Sequence, residues 1–130
     1  FAIGNSKVIN IINRVTGPYD VNSFAVTAAF ASLNDQSYID SYVKDVFEAR
    51  SWLKTQLEKY SVKHHIGGGN YFLLWPKSGP TETEMLLKQS GILVRNMDKK
   101  INLKGSLRVS IGTVEQMKRF WSAFKLIDKF

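Results

Sequence analysis

The run Gly67-Gly68-Gly69-Asn70-Tyr71-Phe72-Leu73-Leu74-Trp75 marks a change of period in the chain. Before Tyr60, apolar residues recur every three or four positions, as helices require; from Tyr71 to Trp75 they are consecutive. Successive strand residues point to opposite faces, so a strand that is apolar throughout is expected to lie centrally, covered on both sides. Residues 62–66, across the three glycines, read as its neighbour. Toward the C-terminus, Thr81-Glu82-Thr83-Glu84 has the pattern of a capping box. It is expected to open a short helix through Met85, Leu86 and Leu87 that stops at Gly91. Residues 92–95 read as a short strand, 96–105 as a polar loop, and 107–111 as a half-buried, alternating strand. Thr113 and Gln116 form a second capping box, starting a helix with Met117, Phe120, Trp121, Phe124 and Ile127 on its apolar side.

Toward the N-terminus the helical period predicts three helices. Asn5 or Ser6 caps the first, which carries Val8, Ile11, Ile12 and Val15 and is stopped by Gly17-Pro18. The second spans 22–33 and is rich in alanine, which allows another element to approach closely. The third spans 36–60, with a stripe of Ile39, Tyr42, Val43, Val46, Leu53 and Leu57. The order of three helices, two strands, helix, two strands and helix defines an α+β fold, a small mostly antiparallel sheet packed with helices. The first two helices are long and apolar for such a sheet and are expected to belong against something further. Phe1-Ala2-Ile3-Gly4 reads as the end of a buried strand, so a segment of a longer protein is expected.

Composition narrows the function classes. The 130 residues are 44% hydrophobic and 22% charged, which is globular rather than disordered composition. No apolar run approaches the ~20 residues of a membrane span. The absence of cysteine removes disulfides, thiol nucleophiles and cysteine–zinc sites. Eighteen Lys and Arg against 11 Asp and Glu give a net charge of +7, which suits an anionic ligand but equally a solvated basic surface. The lysines are scattered and form no basic arm.

Arg95 and Arg108 are the residues most suggestive of chemistry. Alternation turns Leu107, Val109 and Ile111 inward and leaves Arg108 on the other face with Ser110. Arg95 ends the preceding strand and points outward if Val94 faces the core. Two guanidinium groups at adjacent strand ends suit a ligand with two anionic groups, each able to take a bidentate pair. On spacing alone, two solvated surface arginines explain the pattern as well. His64 and His65 point to opposite faces and cannot readily share a metal. The triple glycine lacks the Lys-Ser/Thr and helix of a phosphate loop and reads as a flexible connection. Lys7 opens an ordinary amphipathic helix and receives no catalytic role. Residues 104–111 match part of an RNA-recognition signature, but Ser106, Arg108 and Ile111 occupy its aromatic positions, so no base-stacking platform is expected.

Taken together, four segments in order resemble the histidinol-phosphate aminotransferase family of fold-type I pyridoxal-phosphate enzymes. Gly17-Pro18-Tyr19-Asp20-Val21-Asn22 is similar to its Pro-Tyr/Phe-Asn-Val-Asn segment, with Asp20 in place of the usual asparagine. Gly69-Asn70-Tyr71-Phe72-Leu73 resembles its Asn-aromatic strand. Gly91-Ile92-Leu93-Val94-Arg95 and Leu107-Arg108-Val109-Ser110-Ile111-Gly112-Thr113 resemble its two arginine-bearing segments. The resemblance implies that 1–34 are the end of the large domain and a connecting helix, and 35–130 the C-terminal small domain. It implies that Arg108 binds the substrate α-carboxylate and Arg95 the phosphate of histidinol phosphate or the acidic end of glutamate. Tyr19 and Asn22 would help shape the site, while Asn70 is read as structural.

The resemblance further implies a pyridoxal-phosphate-dependent transaminase working in the cytoplasm as a homodimer on amino-acid or phosphorylated substrates, without nucleic acid or membrane partners. The family's Schiff-base lysine precedes the position of Phe1, as does its arginine for the cofactor phosphate. The chain alone is therefore expected to supply no catalytic lysine, to hold no pyridoxal phosphate and to be inactive, with the remainder of the enzyme as its partner. Ile9, Ile11, Phe24 and Phe30 would be left partly uncovered. A threonine-phosphate-type decarboxylase of the same fold and a stand-alone basic binding domain are the alternative readings.

Overall fold

A computed structural model describes residues 2–17 and 21–129. The chain divides into two compact units, one running to Ile39 and one from Asp40 onward.

The first unit holds α1 (Ser6–Asn13) and α2 (Ser23–Asn34). Asn5 caps α1, its side-chain oxygen accepting from Lys7 N at 3.0 Å. The helix ends earlier than the sequence suggests. Arg14 is its C-cap and Val15, placed on the helical stripe by period alone, lies beyond it and is 85% exposed. Pro18, the expected stop, lies outside the described residues. Ala2, Ile3 and Gly4 form no strand and are exposed, so the expected buried strand end is not made there. No described residue of this unit is buried, and Phe24, Phe30 and Leu33 present their side chains to solvent.

The second unit contains the greater part of α3 (Gln36–Lys59), then β1 (His64–Ile66), β2 (Tyr71–Leu74), α4 (Pro80–Gln89), β3 (Arg95–Asn96), β4 (Leu107–Ser110) and α5 (Val114–Ile127). All pairings in the four-stranded sheet are antiparallel, in the order β1-β2-β4-β3. The consecutive apolar run is indeed an internal strand. Phe72, Leu74, Leu107 and Val109 project from one face into a core closed by Ala49, Leu53 and Leu57 of α3, Leu87 of α4, and Met117, Phe120, Trp121 and Phe124 of α5. Phe120 meets Phe72 edge-on at 5.8 Å and stacks on Phe124 at 5.7 Å. Each such aromatic contributes about 1.5–3 kcal/mol by burial alone. The expected α3 stripe is correct only in its C-terminal half. Ile39, Tyr42 and Val43 are exposed, and Ala49, which sequence reasoning passed over, is fully buried.

Helix ends show where local signals held and where they failed. Thr113 and Gln116 make the full capping box, with Gln116 N donating to Thr113 Oγ1 at 3.3 Å and Thr113 N to Gln116 Oε1 at 3.0 Å. A Cβ at Gly112 would run into that glutamine amide, so the glycine is part of the cap. Thr81 and Glu84 make no such box. Pro80, whose missing N–H suits the first helical position, starts α4 one residue before Thr81, and Gly79 is the N-cap. Thr81 and Glu84 instead accept from Asn96 Nδ2, at 3.4 and 3.3 Å. The C-terminus of α4 is a Schellman turn: Ile92 N donates to Leu87 O and Gly91 N to Lys88 O, with Gly91 at φ +71°. That turn delivers residues 92–94 to the core edge as irregular chain, and the strand expected from Ile92 begins only at Arg95.

Candidate functional site: an arginine pair on the outer sheet face

The sheet face away from the core is set by register. Directly opposed residues share a face, so the pairings His65↔Leu73, Leu73↔Arg108 and Arg95↔Arg108 form one row across all four strands. The two arginines predicted as candidates therefore stand side by side on neighbouring strands. The condition on Arg95 is met: Ile92 and Val94 pack against the core, and Arg95 is exposed on the other side.

Cβ atoms of directly opposed residues lie about 4.5–5.5 Å apart, and like charges there repel. No carboxylate lies within ion-pair distance of either guanidinium among the described residues; ion pairs such as Lys44–Glu48 and Lys54–Glu58 lie along α3 instead. The fold thus tolerates a cation pair whose repulsion an anionic ligand would relieve. Arg108 is half-buried, its Cζ 5.5 Å from the centre of the Tyr71 ring. It lines a cleft of about 340 Å³ with His65, the glycine turn, Met97 and Leu103, floored by Leu73. Leu73 is only 7% exposed. Arg95 lines a separate cavity of about 560 Å³ with Asn96, Asp98, Lys99 and Lys100.

The loop between β3 and β4 holds this geometry. Asp98 Oδ1 accepts from Gly105 N at 2.7 Å, Asp98 N donates to Asn96 Oδ1 at 2.9 Å, and Trp75 Nε1 donates to Lys104 O at 3.0 Å. A short 3-10 turn, Ile101–Leu103, completes it. The glycine connection is also tied down, because Arg50 of α3 donates to Gly67 O.

The remaining candidates fall as follows. Tyr19 lies outside the described residues. Asn22 caps α2, its Oδ1 accepting from Ala25 N at 2.9 Å. Asn70 accepts from Ile111 N through its backbone carbonyl at 2.7 Å, extending the β2–β4 ladder. His64, on the core face, has Nδ1 2.7 Å from Val62 O, while His65 is exposed on the outer face. Among the described residues no three His, Asp or Glu side chains gather at metal-binding distance. Tyr71 was read in the sequence as strand alone. Its parity with Leu73 could have placed it beside Arg108, but nothing local signals the ring contact.

The small antiparallel sheet packed with helices is a fold found in a known class of proteins: the chain is a member of the aminotransferase class I and II family, whose profile it matches over residues 1–124. Within that family it is 32% identical to the histidinol-phosphate aminotransferase of Buchnera aphidicola subsp. Diuraphis noxia over 99% of its own length and 36% of that protein's. It is likewise 32% identical to histidinol-phosphate aminotransferase 2 of Legionella pneumophila strain Lens, over 96% of the chain and 34% of that protein. The crystal structure of the histidinol-phosphate aminotransferase from Clostridium acetobutylicum has the same fold, with a TM-score of 0.78 at 21% identity, covering 96% of this chain and 39% of that one. The chain thus spans about a third of the length of these relatives.

Proposed function

We propose that the chain is the C-terminal part of a pyridoxal-phosphate-dependent aminotransferase acting on histidinol phosphate or a related amino acid. Residues 1–34 would be the end of its large domain with a connecting helix, and 35–130 its small domain. Arg108 holds the substrate carboxylate, and Arg95 holds a phosphate or second acidic group. The observation that carries this reading is the Arg95↔Arg108 pairing on an outer face, with no carboxylate within ion-pair distance of either guanidinium among the described residues. Each forked donor takes one anionic end of a dianionic substrate, Arg108 from its cleft and Arg95 from the cavity that shares Met97 with it, and fixing orientation is how a protein scaffold accelerates a cofactor's chemistry. Identity to histidinol-phosphate aminotransferases along nearly the whole chain supports the substrate class.

Pyridoxal phosphate, when bound, supplies the electron sink for transamination. We assign its cradle to residues outside this chain. A cofactor-linking lysine works from a partly desolvated position that lowers its pKa, and no lysine lines the Arg108 cleft; Lys99 and Lys100, beside Arg95, are exposed loop residues. Cofactor binding is assigned to the remainder of the enzyme, acting as a cytoplasmic homodimer. None of the described helices is long and apolar enough to cross a membrane. Assay of the complete enzyme tests the reading: amino transfer from histidinol phosphate to a 2-oxo acid supports it, and release of carbon dioxide from a phosphorylated amino acid identifies a decarboxylase instead.

A further inference from the structure

Arg108 carries a long, rotamer-rich side chain, and a useful anion anchor must not lose that freedom on binding. We infer that Tyr71 is the positioning residue for Arg108, and that Gly69 lets the Tyr71 ring keep the place it takes there. This rests on the reading of Arg108 as a carboxylate anchor.

Tyr71 lies opposite Ser110 and Arg108 lies opposite Leu73, so the two are diagonal neighbours on the outer face. The Arg108 Cζ is 5.5 Å from the ring centre, inside the ~6 Å range of cation–π attraction. The ring is 44% exposed and stands outside the hydrophobic core, so its burial does little for folding. Arg95, the other member of the pair, has no such aromatic contact among the described residues. Arg108 is therefore the arginine held in a preferred orientation.

The glycine turn supplies the independent observation. A Cβ at Gly69 would lie 3.1 Å from Tyr71 Cε1 and 3.3 Å from Cδ1, so the ring would have to give by a few tenths of an ångström. A Cβ at Gly68 would meet nothing within 4 Å. Gly69 is not at positive φ, so its need is for space and not for backbone freedom. Gly69 and Tyr71 thus act as one unit, the first clearing the place that the second occupies beneath Arg108.

The test uses the holoenzyme that carries this segment, with glutarate, a dicarboxylate that has no amino group to transfer, as the binding probe and glutamate as the kinetic one. Tyr71→Leu is expected to raise the glutarate Kd and the glutamate KM about three- to fivefold, with kcat little changed. Tyr71→Phe keeps the ring and restores parental values. Gly69→Ala reproduces part of the loss, and Tyr71→Leu adds nothing once Arg108→Gln is present. If Arg108→Gln weakens glutarate but Tyr71→Leu and Gly69→Ala do not, the positioning role is overturned and the anchor stands. If Arg108→Gln leaves glutarate binding unchanged, the anchor reading itself is overturned. If Tyr71→Phe behaves like Tyr71→Leu, the ring is not what holds Arg108. Should Tyr71→Leu fail to fold, Gly69→Ala and Tyr71→Phe decide the matter alone.

Discussion

Replacing Arg95 by glutamine should make the protein more stable while impairing the function proposed for it. Arg95 and Arg108 are directly opposed across β3 and β4, and no carboxylate pairs with either among the described residues. Two unit charges ~5 Å apart repel by about 0.8 kcal/mol at the dielectric of water. The guanidinium groups can splay beyond the Cβ spacing, so the expected gain from removing one is about 0.2–0.8 kcal/mol, on the order of 1–3 °C in Tm for a domain of this size. Glutamine retains most of the side-chain stem and costs no buried contact, since Arg95 is exposed. Any neutralisation in a chain of net charge +7 relieves some general repulsion, so Lys118→Gln on the exposed side of α5 serves as the control. The assay is a pair of thermal melts, at low salt and near 1 M, where the Debye length falls to ~3 Å and the local repulsion is screened. Arg95→Gln should exceed Lys118→Gln at low salt and lose that excess at high salt. A destabilised Arg95→Gln, or a gain that salt does not touch, would refute the reasoning that the pair is held at a cost.

Other consequences are as direct. Gly112→Ala forces the Gln116 amide out of the α5 cap and should cost about 1 kcal/mol in denaturant melts; in a Gln116→Leu background the cost should largely vanish. Added pyridoxal phosphate should give this chain alone no lysine-linked absorption band, and a band removed by mutating one lysine would place a cofactor lysine here after all. Val8, Ile11, Phe24, Phe30 and Leu33 are exposed in the first unit, and apolar surface of that kind favours association. Light scattering should show the chain self-associating as concentration rises, and a strict monomer at high concentration would count against that.

Much of this architecture is legible in the chain because the deciding signals are local. The alternation of Leu107, Arg108, Val109 and Ser110 places Arg108 on the outer face, and Thr113 with Gln116 both announces and makes the α5 cap. The failures come from competing local rules or from partners distant in sequence. Thr81 and Glu84 have the spacing of a capping box, yet proline's fitness for the first helical position moves the start of α4 one residue earlier. Residues 92–94 have strand composition, but the Schellman turn at Gly91 carries them past the sheet edge before pairing begins. The glycine turn reads as flexible, and only the fold brings Arg50 to Gly67. The candidate site was half visible. Parity finds each arginine's face, but their being opposed depends on the β3–β4 register, and the Tyr71 contact depends on the β2–β4 register. Neither register is written in any single segment.

The central claim is that Arg108 anchors an anion common to both substrates of an aminotransferase. The most direct measurement is the KM of each half-reaction in the complete enzyme bearing Arg108→Ala. Loss of a charge-assisted, bidentate contact worth about 1.5–3 kcal/mol should raise both values by roughly 10- to 150-fold. Unchanged kinetics toward both substrates would contradict the account.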